Sequence, residues 1–233
     1  MENRDRYNNL FLIGFSGSGK SSVGKLLARK LKFNFLDTDK KIEANLNMKI
    51  SEIITRRGEN YFRKIETECL NEINYDSKIV ISTGGGIPTI KENLKIMNHY
   101  GIMIWLNSTI KTIIKRLEES KEIRPLLGEK INENELSSLY EQREKYYQLA
   151  KFSIKTDNKS LNTLAEEIKN KLCEIKTWFY ENLMKNKYLA SEVNTSQGNY
   201  RVIVGKSILN LLGRELEYAG IEKKKCFSMV LFI

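Results

Sequence analysis

Short apolar runs alternate with longer amphipathic stretches along most of the chain. Asn9–Phe15 (NLFLIGF) is apolar nearly throughout, as a strand buried on both faces would be, and Ser21–Leu31 follows with Val23, Leu26, Leu27 and Leu31 on one helical face. Phe33–Leu36 predicts a second short strand running into Asp37-Thr38-Asp39, and Lys40–Asn47 a polar helix. Ser51 reads as the cap of a helix that Gly58 closes after Arg57, with another helix from about Glu59 to Ile73. Lys78–Ser82 (KIVIS) predicts a third strand ahead of Gly84-Gly85-Gly86, and Pro88 opens a helix through His99. Ile102–Leu106 (IMIWL) is a fourth strand, with Ser108 capping the helix after it. A charged helix over Glu135–Ala150, a fifth strand over Phe152–Lys155 and a helix over Ser160–Ile175 complete the series. Strands joined by helical crossovers predict an α/β fold, a five-stranded parallel sheet flanked by helices.

Two stretches break the alternation. Lys121–Asn134 (KEIRPLLGEKINEN) has no period and holds one of the chain's two prolines, which predicts a lid-like loop. Beyond Ile175, residues 176–199 are polar and aromatic and read as a linker, after which Tyr200–Val204 predicts a strand, Ser207–Tyr218 a helix and Cys226–Ile233 a terminal strand. The organisation expected is therefore a domain over residues 1–175, a linker over 176–199 and an incomplete strand-helix-strand extension over 200–233.

Composition narrows the class. An apolar share of 41% in 233 residues is ample for a packed core and excludes a disordered chain. No apolar run approaches a membrane span, MENRDRYNN has no signal-peptide core, and Cys69, Cys173 and Cys226 are far apart with no CxxC pair. These features predict a cytoplasmic protein. The net charge of +10 raises the question of nucleic acid, but the excess is +6 over residues 1–175 (30 basic, 24 acidic) and +4 over 176–233 (9 basic, 5 acidic), with only Lys223-Lys224-Lys225 clustered. That spread predicts a solvated surface without a nucleic-acid stripe.

The strongest chemical signal lies between the first strand and the first helix. Gly14-Phe-Ser-Gly-Ser-Gly-Lys-Ser21 matches GxxxxGK[ST], in which glycines let backbone N–H groups turn toward phosphate oxygens at a helix N-terminus. Gly17, Ser18, Gly19, Lys20, Ser21 and Ser22 are the candidate nucleotide-binding residues, with Lys20 reaching the terminal phosphates and the Ser21 hydroxyl a magnesium ligand.

The remaining candidates follow the other strands, since ligands of open parallel sheets bind at their carboxyl ends. Asp37 and Asp39 point in different directions; one could serve a metal and the other a hydroxylated substrate, or both could cap the next helix. Arg63 lies three residues before Glu66, within helical pairing distance. Gly84-Gly85-Gly86 either admits a ligand closely or makes a tight turn. Arg124 sits in the irregular loop, where it could close over phosphates, and Arg143 in a charged helix could equally be a solvated residue. His99 reads as a helix-end or surface residue.

Together GFSGSGKSSVGKLLA, FLDTD, GENYFRKIE, STGGG, RPLL and QREKYY resemble the shikimate kinases in order and spacing, across residues 8–175. The resemblance implies transfer of the ATP γ-phosphoryl group to the 3-hydroxyl of shikimate, in the biosynthesis of chorismate and the aromatic amino acids, by a monomer. It assigns Asp39 to the substrate hydroxyls and the reacting proton, Arg63 and Arg143 to the substrate carboxylate, and Gly84, Gly85 and Gly86 to the substrate pocket. It gives Ser21 and Asp37 to Mg²⁺, Arg124 to the lid, and Asp157-Asn158-Lys159 to the adenine loop, with Lys159 as its nucleotide contact. Another small phosphate-loop kinase, acting on a sugar acid or a nucleotide, would share Lys20 and Ser21 but is not expected to combine FRKIE, GGG and RPLL. A non-catalytic nucleotide switch is the alternative of a different class, and the sequence lacks the NKxD-like guanine signature that a GTP switch would show. YRVIVGKSILNLLGRELEYAGI is similar to the opening strand and helix of 3-dehydroquinate synthases; the sequence stops before that family's cofactor and metal residues, so no synthase activity is expected.

Overall fold

Every residue of β1 (Asn9–Ile13) is buried, because this strand is the middle of a sheet covered on both faces. It pairs in parallel with β3 (Ile79–Ser82) on one side and β4 (Ile102–Asn107) on the other, while β2 (Asn34–Asp37) and β5 (Phe152–Lys155) form the edges. The order β2-β3-β1-β4-β5 makes the chain cross from one side of β1 to the other after β3. The carboxyl end of β1 is therefore the topological switch point, where a crevice opens. The computed structural model describes residues 9–119, 132–183, 189–195 and 198–203.

Helices α1 (Lys20–Leu31), α2 (Thr38–Leu46), α3 (Ile50–Arg57) and α4 (Glu59–Asn71) precede β3; α5 (Lys91–Tyr100), α6 (Ile110–Glu119) and α7 (Glu133–Tyr147) follow it, and α8 (Leu161–Leu183) comes after β5. A 3-10 turn, Ile87–Thr89, intervenes before α5, so Pro88 opens that turn and α5 itself starts at Lys91. Phe11, Ile13, Ile81 and Trp105 project from the strands into a core completed by Leu70, Ile87, Met97 and Tyr147. His99 lies in the last turn of α5 with its ring edge against Tyr100.

Three caps differ from expectation. α3 begins at Ile50, so Ser51 is inside it; the Ile50 N–H is satisfied instead by Glu43 Oε1, reached across from α2. At α6 the cap is Thr109, whose Oγ1 accepts from the Thr112 N–H, because Ser108 is buried and hydrogen-bonded to Thr156. Asn132 caps α7 through the N–H groups of Asn134 and Glu135, which starts that helix two residues early.

The chain divides into two compact units, one spanning Asp5–Lys171 and the other taking in Leu172 onward. In the second, α8 continues to Leu183, past the end predicted at Ile175, because no glycine or proline intervenes to stop it. β6 (Leu189–Thr195) and β7 (Gly198–Ile203) pair antiparallel, with Val193 opposite Tyr200. Residues 176–199, read as a linker, thus contain the end of a helix and most of a hairpin. Arg124 and its loop, and the helix and terminal strand predicted after Val204, lie outside the described residues. Among the described residues no helix is long and apolar enough to cross a membrane.

Candidate active site

The loop after β1 turns three times through backbone that side chains rarely adopt: Gly14, Gly17 and Gly19 have φ of 140°, 80° and 93°. Lys20, 8% exposed, folds back over this loop and donates to the carbonyls of Gly14 and Phe15 at 2.9 and 2.8 Å. Its ammonium is thereby held across the mouth of the cradle, at the start of α1. The Ser18 hydroxyl is buried with no hydrogen-bond partner among the described residues, a polar group beside Gly14 in the same cradle.

Next to the cradle, Ser21 Oγ donates to Asp37 Oδ2 at 2.6 Å and lies 3.3 Å from Ser82 Oγ. Asp37 also caps α2 by accepting from the Lys40 N–H. Its two oxygens divide the alternatives left open by the sequence: one caps, the other faces the phosphate loop. The corner so formed is all hard oxygen, suited to Mg²⁺, which keeps waters and phosphates among its ligands. Among the described residues no group of three or more His, Cys, Asp or Glu could hold a metal by itself. Ser82, the last residue of β3, was not singled out in the sequence.

The other half of the crevice is built around Gly84-Gly85-Gly86. None of the three has a positive φ, and Gly86, at φ −92° and ψ −14°, is in a conformation open to any residue. Gly84 and Gly86 are required for room, while Gly85 lies at ordinary contact distance from its neighbours. A Cβ on Gly84 would stand 2.6 Å from Glu66 Oε1 and 2.8 Å from Asp39 Oδ1; one on Gly86 would run into the Arg63 guanidinium; one on Gly85 would stand 3.5 Å from Arg143 Nη1. The loop is thus the floor on which Asp39, Arg63, Glu66 and Arg143 converge.

Arg63 is held on both sides. Its Nη1 donates to Glu66 Oε2 at 2.7 Å, and its Nη2 and Nε donate to Glu59 Oε1 at 2.6 and 3.2 Å. Three of five N–H donors are used, leaving two for a ligand. Burial opposes its charge, but Glu66 and Glu59 outweigh that and raise its pKa. Glu66 is 1% exposed, and burial pushes its carboxyl up to about 7, against the pull of Arg63 and with Asp39 adding to the rise. Its membership of the site was legible only as a helical pairing partner. Arg143, by contrast, makes no ion pair among the described residues; it lies 5.6 Å over the ring of Phe15, the second residue of the phosphate loop.

On the far side of the cradle, Arg116 is a further residue that pattern alone did not mark. Its Nη1 donates to Thr156 Oγ1 at 3.0 Å and to Ser18 O at 3.4 Å, and its Nη2 to Thr156 O at 3.1 Å, fastening the phosphate loop to the end of β5. Asp157 accepts from the Thr109 N–H and hydroxyl, and Lys159 is paired with Glu167 at 2.8 Å. Ser22 follows Ser21 in the first turn of α1.

Comparison with known proteins points the same way. Residues 16–173 match the shikimate kinase (SKI) family. The chain is 40% identical over 164 residues to the shikimate kinase of Sulfurihydrogenibium sp., covering 70% of this chain and 97% of that protein, and 42% identical over 160 residues to that of Persephonella marina, covering 69% and 96%. Shikimate kinase from Acinetobacter baumannii, solved in complex with shikimate, superposes with a TM-score of 0.69 at 33% identity, over 73% of this chain and 95% of that one.

Proposed function

The chain belongs to the shikimate kinase family and is an ATP-dependent kinase, and from that premise we propose how its residues divide the transfer of a phosphoryl group to shikimate. Lys20 and the loop N–H groups from Gly17 to Ser22 hold the nucleotide phosphates and compensate the charge that develops on them. Ser21 and Asp37 would hold Mg²⁺, which would neutralise phosphate charge when bound. Asp39 orients the reacting hydroxyl and takes its proton on a carboxylate oxygen. Arg63 and Arg143 bind the substrate carboxylate on the floor of Gly84, Gly85 and Gly86, and Arg124 closes the lid.

The observation that carries this reading is the convergence of two arginines and Asp39 on one glycine floor beside the phosphate cradle. The arginines have different parts. Arg63 is ion-paired with Glu59 and held by Glu66, so it contributes fixed geometry; Arg143, with no close ion pair among the described residues, contributes the positive charge. All of these groups belong to one chain, which suits a monomer, and an exposed free Cys173 suits a reducing cytoplasm.

The test is ADP release with ATP and Mg²⁺, comparing shikimate with gluconate and nucleoside monophosphates. Stimulation by shikimate alone is expected. Arg63→Ala and Arg143→Ala are expected to raise KM for shikimate by about 10²-fold with KM for ATP nearly unchanged; equal losses toward both substrates would overturn the carboxylate assignment.

A further inference from the structure

Gly84 to Ile87 form a turn closed by the Ile87 N–H on Gly84 O at 3.1 Å. Gly86, its third residue, has the dihedrals of a type I turn. A type II turn differs from type I by rotation of the central peptide, here the Gly85–Gly86 peptide, and requires a positive φ at the third residue. With glycine in that position the rotated form carries no Cβ penalty. The room that Arg63 needs therefore also leaves the floor of the site able to turn over.

One contact opposes the rotation. The Tyr147 hydroxyl donates to Gly85 O at 2.7 Å, and the Arg143 guanidinium is a second polar neighbour of the same hydroxyl, so the Gly86 amide resonance, and not KM alone, is what distinguishes orientation of the peptide from support of Arg143. Tyr147 is fully buried, at 0% exposure, with its ring packed 6.1 Å from that of Trp105. It lies one turn beyond Arg143 on α7, hence on the same face. Burial keeps the phenol protonated far above neutral pH, so it is a permanent donor. Because the peptide is planar and trans, a carbonyl fixed on Tyr147 turns the Gly86 N–H the opposite way. Neither the Gly85 nor the Gly86 N–H has an acceptor among the described residues, although Gly86 is buried.

We propose that Tyr147 is a positioning residue for the kinase reaction, holding the Gly85–Gly86 peptide in one orientation so that the Gly86 N–H serves the substrate carboxylate together with Arg63 and Arg143. Rotation would put a carbonyl oxygen where the anion needs a donor. The proposal rests on the carboxylate assignment above. α7 then supplies two functions at four-residue spacing, the cation at Arg143 and the orientation of the floor at Tyr147.

The experiment is Tyr147→Phe, which removes one oxygen and leaves the ring packing against Trp105. KM for shikimate is expected to rise about tenfold, with KM for ATP within about twofold of the parent protein. In the protein labelled with 15N-glycine, the Gly86 amide resonance is expected to shift or broaden. Tyr140→Phe is the control: it removes a phenol hydrogen bond, to Asn107 at 3.2 Å, from the same helix. It is expected to leave KM for shikimate and the Gly86 resonance unchanged. If Arg143→Ala raises KM for shikimate while folded Tyr147→Phe leaves both KM and the Gly86 resonance as they were, the role of Tyr147 is overturned and the carboxylate assignment stands. If neither variant moves KM for shikimate, the carboxylate assignment itself falls.

Discussion

Within the consecutive stretch from Gly14 to Ser21 the phosphate loop carries its own turns, its cation and its hydroxyl. The side proposed to bind the substrate carboxylate draws Arg63 from α4, the glycine floor from beyond β3 and Arg143 from α7. The first is organised by local backbone conformation, through positive φ at Gly14, Gly17 and Gly19. The second is organised by space, through glycines whose conformations are ordinary and whose missing side chains leave room for charged groups from elsewhere. A damaged phosphate loop should fail as a whole, whereas the other side should fail one contact at a time.

The largest effect expected is for Lys20→Ala, which removes the cation from an otherwise intact cradle. kcat should fall by about 10³-fold with the melting temperature little changed, measured by steady-state kinetics and thermal unfolding. A much smaller fall would mean that the loop amides alone compensate the transferred charge.

Gly86→Ala probes the other principle. Its dihedrals tolerate alanine, so the strain comes from the Arg63 guanidinium that the new methyl meets. KM for shikimate should rise by about 10²-fold while KM for ATP stays within about threefold. Parallel losses toward ATP would show that the two sides are not separable.

The smallest effect concerns Glu66. Its carboxyl titrates near 7 in the folded protein, raised by burial despite Arg63, whereas an ordinary glutamate titrates at 4.5. Between those values the folded chain holds a proton that the unfolded chain has released, so stability falls as pH rises through the window. The melting temperature should drop by a few degrees between pH 5 and 8, and Glu66→Gln should flatten that slope. An unchanged slope in the variant would place the titration elsewhere.

The same contrast explains what was legible in the sequence. The five parallel strands, the flanking helices and the phosphate loop could be read because each is a local pattern with its own period or motif. Arg63, Arg143 and the three glycines were found as motif fragments, but pattern could not say that Gly84 makes room for Glu66 and Asp39 and Gly86 for Arg63. Ser82, Arg116 and Tyr147 left no signal as site residues, since a serine ending a strand and an arginine or tyrosine on a helix are ordinary until the fold brings them to Ser21, Ser18 and Gly85. The misplaced caps at Ser51 and Ser108 have a similar cause: side chains from outside those helices, Glu43 on the preceding helix and Asp157 far along the chain, supply acceptors at their starts.

Position 86 is glycine because position 63 is arginine, with α4 holding one member of the pair and the loop after β3 the other. For anyone recombining segments of this protein with those of another, the two positions are a single inherited unit. A donor loop bearing a side chain at 86 must either displace the Arg63 guanidinium or arrive with a shorter residue at 63, so the boundary of an exchangeable module should enclose both.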